Sequence, residues 1–268
     1  YEKYAGRVEI PLLRALTFRH ILETKTLWIG DGELIVGEKG ERPQYAPSFP
    51  ELCCHTLADL DVMNSRQYIS FKVTDTVRQT HANRIEPYWR GRSLRELIFR
   101  HMTPEWIQCY ENGLFTEFME QRGPGHTVLD GKIYRKGFLE FQADIRAVIA
   151  ALDFLADPQA YEKKIQLEAM DICCDAIMAY GRRNAELARQ MAAAATDPVR
   201  RRELLEIAAT CDVVPAHRPQ TFRQALQMYW FVHLGVTTEI NPWDSLSPGR
   251  LDQHLYPFSP QELAPGPL

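Results

Sequence analysis

The chain has 268 residues, 45% of them hydrophobic and 25% charged, with 15 glycines and 17 prolines. That is ordinary globular composition, with length enough for one large domain or two modest ones. Its 31 Lys+Arg against 35 Asp+Glu leave a net charge of −4 without long like-charge blocks, which argues against a basic nucleic-acid footprint and against an acidic disordered tail. No apolar run approaches the roughly 20 residues that span a bilayer, and no charged-then-apolar leader opens the chain. The expectation is a soluble, cytoplasmic protein with neither a nucleic acid nor a membrane as partner.

Tyr1-Glu2-Lys3-Tyr4 stands where an initiator Met would, and runs straight into amphipathic sequence; the expectation is a piece of a longer protein. From Pro11 to about Thr24, Leu12, Leu13, Leu16, Ile21 and Leu22 suit a helix with proline near its start. Leu27-Trp28-Ile29, then Gly30-Asp31-Gly32, then Leu34-Ile35-Val36 reads as two short extended runs joined by a turn. Pro43, Pro47 and Pro50 make the next stretch a loop.

Helices then dominate. Thr103-Pro104, Asp157-Pro158 and Asp197-Pro198 each put a capping side chain before a proline at a first helical position. Between the last two signals, Ile165, Ala169, Ile172, Cys173, Ala176, Ile177, Tyr180, Leu187 and Met191 form one stripe of a long amphipathic helix, with Arg182, Arg183 and Arg189 assigned to its wet side. A further helix begins at Pro219; Phe222, Leu226, Tyr229, Trp230 and His233 share a face, and Met228 to Val236 is apolar nearly all round, so this helix belongs in the interior. The last ten residues, Ser259 to Leu268, hold three prolines and no periodicity, and read as an unstructured tail. The fold class is mostly α with a few short strands.

The 6 cysteines include two adjacent pairs, Cys53–Cys54 and Cys173–Cys174. Neighbours on a helix point about 100° apart, so neither pair presents two thiolates to one metal; buried, reduced thiols are the expectation, and no metal site. The motifs of phosphate loops, dinucleotide folds and zinc proteases are absent from the sequence.

Two stretches break the helical logic. In Phe118-Met-Glu-Gln-Arg-Gly-Pro-Gly-His-Thr-Val128 a Gly-Pro-Gly turn precedes His126, and an imidazole held there suits proton transfer near neutral pH. A surface turn whose histidine bonds to backbone is the plainer alternative. In Glu239 to Gln253, Asp244 sits between Trp243 and Leu246 in a proline-bounded loop that follows the most apolar helix. A carboxylate beside the core must be paired, hydrogen-bonded or functional; a loop brace is the alternative. His217 and His254 are weaker candidates: the first suits helix entry, and nothing fixes the direction of the second.

Asp31-Gly-Glu-Leu-Ile-Val-Gly-Glu38, Arg122-Gly-Pro-Gly-His-Thr-Val128, Pro215-Ala-His-Arg-Pro-Gln-Thr221 and Ser247-Pro-Gly-Arg-Leu-Asp-Gln253 resemble the amino-terminal part of the glycyl radical enzymes, the pyruvate formate-lyase-like family. The likeness runs from about Gly6 to Phe258, which makes 1–258 the family portion and 259–268 a non-family tail. Phe118-Met-Glu-Gln-Arg122, Cys211-Asp-Val-Val-Pro-Ala-His217 and Tyr229 to Glu239 look like a subgroup that dehydrates trans-4-hydroxy-L-proline to 1-pyrroline-5-carboxylate.

The resemblance implies a ten-stranded α/β barrel wrapped in helices, this chain supplying mainly outer helices and one wall of the active site. It implies a glycyl radical installed by an S-adenosylmethionine-dependent iron–sulfur activase, which is then a partner, and a homodimer at full length. It also implies His126 and Asp244 as catalytic residues, the first protonating the departing hydroxyl and the second holding it, with Phe118 lining the substrate pocket. The chain lacks the family's Gly-Cys-Val-Glu cysteine loop and its Arg-Val-Ala-Gly-Tyr radical-glycine loop, so none of its own cysteines takes the thiyl role and the piece alone is expected to be inactive. Two alternatives stay open: another glycyl radical enzyme, acting on glycerol, propanediol, choline or isethionate or cleaving a carbon–carbon bond, and a non-catalytic helical module.

Overall fold

The computed structural model describes residues 1–45, 54–68, 70–115, 129–239 and 248–261. Its helices in chain order are α1 (Ile10–Thr24), α2 (Leu57–Ser65), α3 (Asp75–Thr80), α4 (Glu86–Trp89), α5 (Leu94–His101), α6 (Pro104–Glu111), α7 (Phe138–Ala150), α8 (Ala160–Ala194), α9 (Pro198–Val213), α10 (Phe222–Glu239) and α11 (Leu251–Leu255). A π-helical turn at His81–Ile85 joins α3 to α4, and 3-10 turns span Asp130–Tyr134 and Tyr256–Gln261. The second 3-10 turn carries regular backbone past the tail boundary expected at Phe258.

The described residues fall into two units: 1–38 with 129–239 and 248–261, and 39–115. The first is organised around α8, 35 residues long, which packs against α1, α7, α9 and α10. Its buried stripe alternates large residues, Ile165, Ile177, Met178 and Tyr180, with small ones, Ala176, Gly181, Ala185, Ala188 and Ala192. The small residues let neighbouring backbones come close. A Cβ on Gly181 would lie 2.6 Å from Cδ of Pro215, and one on Gly235 of α10 would lie 2.5 Å from Cδ1 of Ile177. Each large apolar side chain closed into this core contributes about 1.5–3 kcal/mol.

The capping signals act as the sequence suggests at two of three sites. Thr103 accepts the Trp106 amide at 3.4 Å, and Asp197 accepts those of Val199 at 3.0 Å and Arg200 at 3.3 Å. Asp157 instead closes a turn, accepting the Gln159 amide at 3.0 Å while Lys163 Nζ donates to it at 2.6 Å, and α8 starts at Ala160. The last long helix starts at Phe222 rather than Pro219, with the Thr221 hydroxyl accepting the Gln224 amide at 3.2 Å. Its buried face is Ala225, Met228, Phe231, Val232 and Leu234; Phe222, Leu226, Tyr229, Trp230 and His233 are half-buried. Arg183 is not on a wet face: it donates to the carbonyls of Leu22 at 2.6 Å and Lys25 at 2.7 Å, placing a cation at the C-terminus of α1.

The two extended runs expected at 27–36 form no ladder with each other. Among the described residues the one β-pairing is an isolated parallel bridge between Tyr45 and Lys72. The segment is held instead by side chains of the helices beneath it. Gln227 of α10 donates to the Val36 carbonyl and accepts its amide, each at 2.8 Å. Trp230 Nε1 donates to the Gly37 carbonyl at 2.9 Å, the Tyr180 hydroxyl to that of Glu38 at 3.2 Å, and Arg200 to those of Gly30 at 2.7 Å and Glu33 at 2.9 Å. A two-stranded hairpin is marginal by itself; donors and acceptors already fixed on rigid helices satisfy the buried backbone at less entropic cost.

In the second unit, Thr56 with Asp59 and Ser93 with Glu96 form capping boxes that start α2 and α5. His81, in the π-helical turn, is buried, and its Nε2 lies 2.5 Å from the carbonyl of His55.

Candidate functional site

Phe118, His126 and Asp244 lie outside the described residues. What the structure describes is the framework that borders their two segments. Segment 116–128 is followed by Leu129 and the 3-10 turn Asp130–Tyr134; segment 240–247 is preceded by α10 and followed by Pro248, α11 and the 3-10 turn Tyr256–Gln261.

Leu129 and Asp130 are both in the left-handed region, with φ of 54° and 47°. Such a conformation is rare for a branched apolar residue and costs about 1–3 kcal/mol per residue, so something must hold it. The Asp130 carboxylate accepts a hydrogen bond from Nε2 of His254, at 2.8 Å, across 124 residues of sequence. The Gly131 amide foremost, and then His254, hold the Asp130 carboxyl below its usual range; a carboxylate only accepts, so His254 Nε2 carries the proton. The His254 ring stacks on Tyr134, with centroids 5.3 Å apart and planes at 22°, and Phe258 flanks the same tyrosine at 6.3 Å. Tyr134 is buried, and burial foremost, with Tyr229 nearby, pushes its phenol up to about 12.

On α10, Tyr229 and Trp230 embrace His233. The Tyr229 hydroxyl is 3.2 Å from His233 Nδ1, and the Trp230 ring stacks on the imidazole at 5.5 Å with planes 12° apart. Burial raises the Tyr229 phenol as well. The middle of α10, about two turns before segment 240–247, is thus aromatic, half-buried and equipped with an imidazole. α10 also packs against both 3-10 turns and α11, so the borders of the two candidate segments share one framework.

Chemically, this arrangement offers two imidazoles and two protonated phenols but no cation site: among the described residues no three His, Cys, Asp or Glu cluster as metal ligands. Cys174 and Cys211 are buried, and burial pushes both thiols up to about 12, so neither is a nucleophile near neutral pH. A groove of about 650 Å³ between α7 and α8, lined by Val148, Leu152, Leu167, Met170, Glu162 and Lys163 among others, holds none of the aromatic and imidazole groups. Sequence reasoning had found His254 without a direction and had missed Asp130. No local pattern joins residues 124 positions apart, so no sequence signal could have found the pair.

Comparison with known proteins gives this framework a family. The family described as pyruvate formate lyase-like matches residues 1–268. The chain is 58% identical over 268 residues to the trans-4-hydroxy-L-proline dehydratase of Clostridioides difficile, a match covering 100% of this chain and 34% of that protein. The crystal structure of the hydroxyproline dehydratase from Clostridioides difficile, with substrate trans-4-hydroxy-L-proline bound, superposes with a TM-score of 0.91, covering 97% of this chain and 33% of that one. An isethionate sulfite-lyase of Nitratidesulfovibrio vulgaris is 32% identical over 267 residues, covering 96% of this chain and 32% of that protein. The chain therefore spans about a third of the length of the relatives it matches. With the match running through every residue and the backbone following that of a solved relative, the chain belongs to the pyruvate formate lyase-like family.

Proposed function

We propose that the protein of which this chain is part is a glycyl radical dehydratase that removes water from trans-4-hydroxy-L-proline to give 1-pyrroline-5-carboxylate. The observation that carries the reading is the 58% identity across the whole chain to an enzyme of that name, against 32% for an isethionate lyase. In this reading the chain contributes outer helices and one wall of a ten-stranded α/β barrel completed by the rest of the protein. The working protein is a cytoplasmic homodimer, and its partners are the small-molecule substrate and a radical-installing activase that uses S-adenosylmethionine and an iron–sulfur cluster.

The radical supplies hydrogen-atom abstraction next to the C–OH carbon; this chain's residues serve the departure of the hydroxyl. Hydroxide is a poor leaving group, so an acid must protonate it and an acceptor must hold it in line. His126 takes the first task, Asp244 the second, and Phe118 gives the pyrrolidine ring an apolar surface. The substrate hydroxyl with the proton from His126 leaves as water. The ring nitrogen gives up a proton as its double bond to carbon forms, which makes good the one from His126, and the abstracted hydrogen atom is returned, so the net change is the loss of water alone. The bond between Asp130 and His254, which ties the chain just after one segment to the chain just after the other, supports this reading: His126 lies four residues before Asp130, a reach of about 14 Å at most.

The test is to install the radical in the whole protein anaerobically and assay hydroxyproline for pyrroline carboxylate, with glycerol, propanediol, choline and isethionate as competing substrates. Turnover of hydroxyproline in preference to the others supports the reading, and preference for another substrate replaces it. Residues 1–268 alone, which carry neither the cysteine loop nor the radical-glycine loop, are expected to give no turnover.

A further inference from the structure

We infer that Asp130 and His254 are positioning residues for the dehydration, acting as a pair that fixes the left-handed turn through which the chain leaves the segment carrying His126. This rests on the assignment of His126 as the acid. Three observations carry it. The turn at Leu129–Asp130 has two consecutive non-glycine residues at positive φ, so it needs an external hold. The hold comes from 124 residues away: His254 Nε2 donates to Asp130 Oδ1 at 2.8 Å, with the histidine side chain only 17% exposed. The histidine is itself immobilised, stacked on buried Tyr134 and lying over Gly131, where an added Cβ would sit 3.4 Å from its Cε1.

A positioned acid works only if its proton meets the leaving oxygen in the transition state, so loosening its support lowers kcat and leaves ground-state binding nearly intact. Aspartate is well chosen for such a turn: it tolerates the left-handed region and offers an acceptor from the same residue. Asparagine shares both properties, and glutamine keeps an N–H donor at the reach of His254 Nε2.

The test uses the whole radical-bearing protein, with rates expressed per radical, and the variants H254A, H254Q, D130A, D130N and the double variant D130A/H254A. H254A and D130A are each expected to lower kcat about 10- to 100-fold with KM within about threefold, and H254Q and D130N to recover most of the loss. The double variant is expected to be no worse than the poorer single one, as for two ends of one interaction. Hydrogen exchange of the amides of 129–134 should quicken in H254A while that of α8 stays at the parent level.

The inference is overturned if H254A keeps the parent's kcat while H126A loses it, if the two alanine losses multiply, if the defect lies only in the amount of folded protein, or if exchange at 129–134 is unchanged. Full activity of H126A on hydroxyproline would instead remove the assignment of the acid. The exchange measurement still judges the Asp130–His254 bond in that case.

Discussion

Gln227 and Val36, 191 residues apart, make a closed pair of hydrogen bonds: the glutamine amide donates to the valine carbonyl and accepts from the valine amide, both at 2.8 Å, in a place where both residues are essentially without solvent. The side-chain amide here does what a neighbouring β-strand would do, and it turns a short extended run into a fixed cover for α10.

Replacing Gln227 by Leu would therefore leave the N–H and C=O of Val36 buried and unpaired. At about 1–3 kcal/mol for each of the two orphaned groups, we expect a loss of about 2–6 kcal/mol, read as a lower unfolding midpoint of the whole protein and as faster amide exchange at Val36. Unchanged exchange at that residue would show that the pair is dispensable.

Gly37, next along the same run, has a φ of +123°, and a Cβ there would lie 2.8 Å from Cδ1 of Leu234 and 3.3 Å from the Tyr180 hydroxyl. G37A adds left-handed strain to overpacking, together about 2–4 kcal/mol. Its first symptom should be loss of the Trp230 bond to the Gly37 carbonyl, visible as a shift of tryptophan emission.

Alkaline pH should weaken the α8 core. Burial pushes the Cys174 and Cys211 thiols from 9.0 and the Tyr180 phenol from 10.0, each to about 12. In each case the folded state disfavours the ionised form, so the stability is complete below pH 9 and is lost as pH rises from there towards 12. Denaturant midpoints measured from about pH 7 to about pH 11 should fall once the thiols begin to ionise in the unfolded chain. Iodoacetamide at about pH 8 should label Cys211 in unfolded protein only; labelling in native protein would contradict the burial.

For the proposed reaction, H126A should cut kcat by about 10²–10⁴, the range of a lost general acid. D244N, which keeps the shape but loses the charge that draws in the hydroxyl, should raise KM as well as lower kcat. F118A should act mainly on KM. Steady-state kinetics at equal radical content per subunit would separate the three.

The helices at the start of the chain and along 160–239 were legible because those segments carry their own instructions: Asp197 caps α9 with its own side chain, as Thr103 caps α6, and the α8 stripe repeats at helical spacing. The hairpin expected at 27–36 was misread, because the partners of its backbone, Gln227, Trp230, Tyr180 and Arg200, come from helices far away in sequence. Arg183 looked like a solvent-facing cation for the same reason; the carbonyls it serves belong to the end of α1. The site residues Phe118, His126 and Asp244 came from resemblance and from their irregular surroundings, which is where local periodicity ceases to inform.

By itself, then, the sequence determined what short-range forces dictate: the helices, most of their caps, and a likeness strong enough to identify the family; of the thiols expected to be buried, Cys174 and Cys211 are, while Cys54, Cys109 and Cys173 are half-buried. Only the tertiary structure decided which distant groups meet, such as Gln227 with Val36, Arg183 with the end of α1, and His254 with Asp130. Those meetings depend on helices packing first and bringing fixed donors to backbone that must leave water. That cost and its compensation belong to no single stretch of chain.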